Sequence, residues 1–157
     1  MKHAILFLLL TAALFSACKK DNSSTAQTDY ISFKVDGAVQ TFKTCQGTYF
    51  KPNSINFSSI TILGNSDNNN EQIGLNVNNP VVGNPSQSGM TGFFSIVAGT
   101  DTTYYNASSA TAITINSLTN DRVTGTFQFT GTNYSAQNTD TKNITEGSFG
   151  CPVSVSN

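Results

Sequence analysis

Charge and imidazole are scarce in this chain. Only 11% of its 157 residues are Asp, Glu, Lys or Arg, and the formal balance is −1. Arg122 is the sole arginine, tryptophan is absent, and the one histidine is His3. Nothing here resembles the basic patch or stripe that binds phosphates, which excludes nucleic acid as a partner. Once the first residues are removed no imidazole remains. A Ser-His-Asp or Cys-His arrangement cannot then be built, nor a zinc site that relies on imidazole. No cofactor motif and no Cys-x-x-Cys spacing occurs. Helices are not expected, because no stretch of helical length carries apolar residues three and four apart.

Thr, Ser and Asn fill the space that charge leaves. The hydrophobic share is an ordinary 38%, with eleven Phe and five Tyr. Disorder requires low hydrophobicity and few aromatics, so this composition predicts a folded core.

The chain opens MKHAILFLLLTAALFSACKK. Lys2 is followed by an apolar run from Ala4 to Phe15, broken only by Thr11. About a dozen residues are too few to span a bilayer of roughly 30 Å. They match a secretory signal ending on small residues. Phe15-Ser16-Ala17-Cys18 resembles the lipobox of bacterial lipoproteins. That resemblance implies cleavage before Cys18, a diacylglyceryl group on its thiol and a fatty acid such as palmitate on its new amine. Each buried methylene contributes about 0.8 kcal/mol and one chain binds only reversibly, so two or three chains make the anchor. The alternative is a secreted protein in which Cys18 merely lies near the cut. Loss of residues 1–17 removes Lys2 and His3, leaving seven basic and nine acidic side chains. Lys19-Lys20-Asp21 fits sorting to the outer membrane, with the periplasmic and surface faces both open.

The remainder divides into a polar tether, residues 18–29, and one domain, residues 30–157. The tether CKKDNSSTAQTD has no periodicity. In an oxidising compartment Cys45 and Cys151 point to a disulfide. Two free buried thiols and a redox pair are the alternatives. A bridge requires the first and last strands of the domain to be neighbours.

The domain reads as short strands. Ile31, Phe33 and Val35 alternate with polar residues, and Asp36-Gly37 before Ala38–Phe42 predicts a hairpin with a type I′ turn. Thr44–Phe50 continues that strand or forms a third, with Gly47 a candidate bulge. Ile55 and Phe57 lie on one parity, Ile60 and Ile62 on the other, which predicts a bulge near Ser58-Ser59. A turn cluster at residues 64–70 precedes Ile73, Leu75 and Val77. An irregular loop follows over residues 78–89, then a strand over Met90–Val97. Tyr104-Tyr105 and Ala112–Ile115 read as two short strands, and Thr119-Asn120-Asp121 as a tight turn. Val123, Gly125, Phe127 and Phe129 alternate with threonines and Gln128. A polar link, residues 131–140, leads to the last strand, where Ile144 and Phe149 differ in parity and place a second bulge at Glu146-Gly147. Eight to ten such strands predict an all-β domain, either an antiparallel β-sandwich or an up-and-down β-barrel.

ISFKVDGAVQTF, AITINSLTNDRVTGTFQFTGTN and KNITEGSFGCPVSV are similar, in order and spacing, to an uncharacterised family of Bacteroidota lipoproteins. That pattern opens with F-x-V-D-G, carries G-T-F-x-F after a turn and closes with I-T-x-G-x-F. The resemblance implies an all-β lipoprotein domain and brings no activity with it.

Tyr104, Tyr105 and Asn106 form the patch best suited to ligand binding, because aromatic rings beside amides recognise sugars. Successive strand residues face opposite ways, so one tyrosine of the pair is expected outside. Most carboxylates lie at predicted turns, where they cap backbone amides. The expected function is therefore a non-catalytic, lipid-anchored outer-membrane module, held to the membrane through Cys18. Its partner would be a glycan, an envelope protein or a small apolar ligand, with no metal. An accessory lipoprotein of an envelope complex is the alternative, ahead of a glycoside hydrolase using paired carboxylates.

Overall fold

The computed structural model describes residues 28–84, 89–135 and 138–157. The expected signal segment, Cys18 and the expected tether up to residue 27 lie outside them. Among the described residues there are nine strands: β1 (Tyr30–Val35), β2 (Ala38–Phe42), β3 (Thr44–Phe50), β4 (Ser59–Asn65), β5 (Glu71–Asn78), β6 (Met90–Ala98), β7 (Asp101–Leu118), β8 (Arg122–Ser135) and β9 (Asn138–Ser156). The all-β expectation holds, and the strand number falls in the expected range.

The strands join one sheet in the order β2-β1-β9-β3-β4-β5-β6-β7-β8, and β8 also pairs with β9. All ladders are antiparallel except β3–β9, where Gly47–Phe50 runs parallel to Val153–Ser156. One edge of β9 is occupied by β8 and the other is shared between β1 and then β3. The sheet therefore curls back on itself without closing into a regular barrel.

The interior is filled by rings and β-branched side chains. Phe33 on β1 meets Phe42 at 5.1 Å, Phe127 at 5.9 Å and Phe94, from the opposite wall, at 6.0 Å. Ile31, Ile60, Ile62, Ile73, Ile113 and Ile144 are fully buried around them.

Local chemistry accounts for most of the elements. Asp36 and Gly37 both have positive φ, 49° and 88°, as the type I′ turn requires. The alternation in β8 places Val123, Gly125, Phe127 and Phe129 inside. At Glu146-Gly147 the predicted bulge is present. Ser32 and Lys34 span two residues of β1 against three of β9, and Phe127 and Phe129 do the same from β8. The extra residue returns Gly147, Phe149 and Cys151 to the buried face that Ile144 occupies.

Several local expectations are corrected. Ser58-Ser59 is no bulge: β4 begins at Ser59, and Ile55 and Phe57 lie exposed in the preceding loop. Gly47 is no bulge either, since it pairs in register with both Ile62 and Val153. A Cβ there would press on Val153 and Val123 at 3.0 and 3.1 Å, which explains the glycine. The two short strands around Tyr104 and Ala112 are one strand, β7, whose register slips three times against β8 and so breaks its alternation. The polar link is a hairpin, because β8 extends to Ser135 and β9 starts at Asn138.

Candidate functional site

Strand pairing gathers the candidate residues on the outer face of β4 to β8. One row crosses five strands as Leu63, Gly74, Phe93, Asn106 and Thr132. Beside it run Asn65, Gln72, Ser95 and Tyr104. Continuing the Asn106–Thr132 register by two residues sets Tyr134 opposite Tyr104. On the other side lies a row of Thr61, Asn76 and Thr91.

Two aromatic residues dominate this surface by exposure, Tyr104 at 51% and Tyr134 at 72%. Phe93 is half-buried and meets Tyr104 edge to face at 6.1 Å. It lies across Gly74, its direct cross-strand partner, where any Cβ would collide with its ring. An aromatic ring thus covers the bare backbone of a strand glycine. A groove of about 340 Å³ runs past Thr61, Asn76, Thr91, Phe93 and Asn106. A second, of about 410 Å³, is lined by Thr102, Tyr104, Asn106, Asn133 and Tyr134. Asn106 belongs to both. Asn76 donates to Thr61 Oγ1 at 2.9 Å and Gln72 to Asn65 Oδ1 at 2.9 Å, which fixes these amides with spare donors and acceptors.

The sequence-predicted trio is split. Tyr104 and Asn106 face outward together, whereas Tyr105 is only 6% exposed. Its ring packs on Phe94, its hydroxyl donates to Asp140 Oδ2 at 2.9 Å, and Lys142 Nζ lies 5.8 Å from the ring centre. Burial, then the Asp140 bond, pushes its phenol above the ordinary range. Tyr105 belongs to the core. Phe93 and Tyr134 escape a reading confined to contiguous residues, because only the register places them beside Tyr104.

Asp29, Asp36 and Glu146 are engaged elsewhere. Asp36 accepts from the Asn143 backbone N–H at 2.9 Å and pairs with Lys142 at 3.0 Å, and these two contacts, in that order, hold its carboxyl below the usual range. The same bond to Asp36 raises Lys142. Glu146, at φ 52°, pairs with Lys34 at 2.7 Å, and Asp29 with Arg122 at 2.7 Å. Among the described residues no group of three His, Cys, Asp or Glu side chains comes together as a metal set. The Asn65–Glu71 cluster forms a hydrogen-bonded hairpin loop in which Asn68 Oδ1 accepts from Ser66 and from the Asn70 N–H.

Cys45 and Cys151 form a disulfide with Cα atoms 5.5 Å apart. They stand two residues before the Gly47–Val153 pair, so the bridge extends the short parallel ladder between β3 and β9. Both β1 and β3 are neighbours of β9, as the bridge requires.

Comparison with protein families, with curated proteins and with solved structures finds no match to this chain.

Proposed function

We propose that this protein is a non-catalytic glycan-binding module, anchored to the outer membrane through lipid on Cys18. The observation that carries the reading is the shared outer face of Tyr104 and Tyr134, with Phe93 and Asn106 beside them. Exposed rings give an apolar platform for the C–H faces of a sugar, and the surrounding amides and threonines supply donors and acceptors for its hydroxyls. A shallow surface whose grooves are lined by no charged side chain suits a neutral polysaccharide. The filled interior favours this face over a small apolar ligand held inside the sheet. Ion pairs that engage Asp29, Asp36 and Glu146 support binding rather than hydrolysis.

Titration with neutral envelope polysaccharide fragments tests the site. Tyr104→Ala and Tyr134→Ala should each weaken binding about tenfold, roughly 1.4 kcal/mol, while Tyr105→Phe leaves it unchanged. Binding indifferent to both exposed tyrosines, or glycan cleavage lost in Glu146→Gln, would overturn the reading. The anchor is tested separately: mass spectrometry should find acyl chains on Cys18, and Cys18→Ala should move the protein to the soluble fraction.

A further inference from the structure

The end of the sheet from which the chain leaves toward Cys18 carries most of the exposed large apolar side chains. Phe50 ends β3 and Val155 is the last residue but one of β9, Ile55 and Phe57 lie in the loop between β3 and β4, and Val81 and Val82 in the loop after β5. These six are among eleven such side chains exposed in the described residues. Hydrogen bonds tie the segments into one end. Ser58 N donates to Asn79 Oδ1 at 2.9 Å, Asn79 N to Ser58 O at 2.7 Å, Gly83 N to Ile115 O at 2.8 Å and Lys51 N to Ser156 O at 2.9 Å.

The chain is pinned to leave at this same end. Tyr30 pairs with Gly150 on β9, so residues before it head toward the C-terminal end of β9. Arg122 holds them there, donating to Asp29 Oδ1 at 2.7 Å, to Thr28 O at 2.9 Å and to Gly150 O at 3.0 Å. Ten residues separate this clamp from the end of the signal segment. Fully extended, they reach no more than about 35 Å. The opposite end of β8, twelve residues from Arg122 and about 40 Å along the strand, carries Tyr134.

We propose that this apolar end seats on the bilayer that holds the Cys18 lipid, with Ile55, Phe57, Val81 and Val82 entering the headgroup and acyl boundary. The inference rests on the anchor reading above. Apolar side chains on two loops, with exposed Lys51 beside Phe50, suit a lipid interface. A tether this short keeps the end within about 35 Å of its lipid anchor, so shallow insertion needs no free encounter from solution. The tyrosine face then points away from the membrane, toward ligand.

The test uses the full processed protein in phosphatidylethanolamine–phosphatidylglycerol vesicles containing spin-labelled lipid, after mass spectrometry of Cys18. An environment-sensitive dye is placed at Ile55→Cys, Val82→Cys or Tyr134→Cys. Cys45 and Cys151 are bonded to each other, and in the acylated protein the Cys18 thiol carries its lipid, so the introduced thiol alone reacts. Dye at positions 55 and 82 should shift to the blue and be quenched by the lipid label, while dye at 134 does neither. An acylated protein whose dyes at 55 and 82 remain unquenched overturns the seating and leaves the anchor intact. Dyes shielded yet unquenched would mean that a protein, or a second copy, covers this end, which also overturns it. A free Cys18 would remove the anchor reading, and the seating with it.

Discussion

Glu146 is the residue where backbone and side chain disagree most. Its φ of 52° is uncommon for a residue with a Cβ and costs on the order of 1 kcal/mol. Its ion pair with Lys34 is exposed and returns at most about that much. Glu146→Gly should therefore match or exceed wild-type stability in urea unfolding, whereas Glu146→Val should lose about 1–2 kcal/mol. Asp36 offers a cleaner electrostatic test, because Asn also accepts the φ > 0 of a type I′ turn. Its carboxyl is lowered in the folded state, so the contribution is present above the ordinary value of 3.8 and is lost as pH falls through the folded value. Asp36→Asn should be less stable than wild type near pH 7, and the two unfolding curves should converge in strong acid. Gly74→Ala tests the proposed glycan site. The added methyl displaces the Phe93 ring at the surface, so glycan affinity should fall in titration while the thermal midpoint shifts little.

Among elements, β9 bears the greatest load. It pairs with β8, β1 and β3, and it carries both the bulge and one half of the disulfide. The four-residue parallel ladder to β3 is short, and the bridge beside it closes a loop of 106 residues. In the chain-entropy account such a loop contributes about 4–5 kcal/mol. Changing Cys45 and Cys151 together to Ser should lower stability by about that amount, measured as a reduced urea midpoint with a steeper slope, because the freed unfolded chain exposes more surface. Much of β9 was legible in the sequence: the parity change between Ile144 and Phe149 located its bulge. In β7 the same signal misled, because three slips against β8 disguised one long strand as two.

At the scale of the molecule, the Phe33 ring joins walls that lie far apart in strand order. It touches Phe42 on β2, Phe94 on β6 and Phe127 on β8. Phe33→Ala should cost about 3–5 kcal/mol, because the curled sheet cannot collapse around the void without breaking its pairing. Calorimetry should show one lowered transition. Two transitions would mean that the β1–β2 hairpin melts apart from the rest.

The sequence by itself determined the all-β class, the type I′ turn, the last bulge and the buried alternation of β8, whereas the Cys45–Cys151 bond, one of three readings open from the sequence, was decided by the structure. Each of the first four follows from chemistry within a few residues, where strand period and turn geometry act directly. Only the tertiary structure decided that Phe93, Tyr104 and Tyr134 share a face, that Tyr105 belongs to the core, and that the apolar loops gather where Arg122 clamps the departing chain. Those outcomes depend on register between strands distant in the chain. Register is set by how the whole sheet curls around its rings, and no local pattern encodes it.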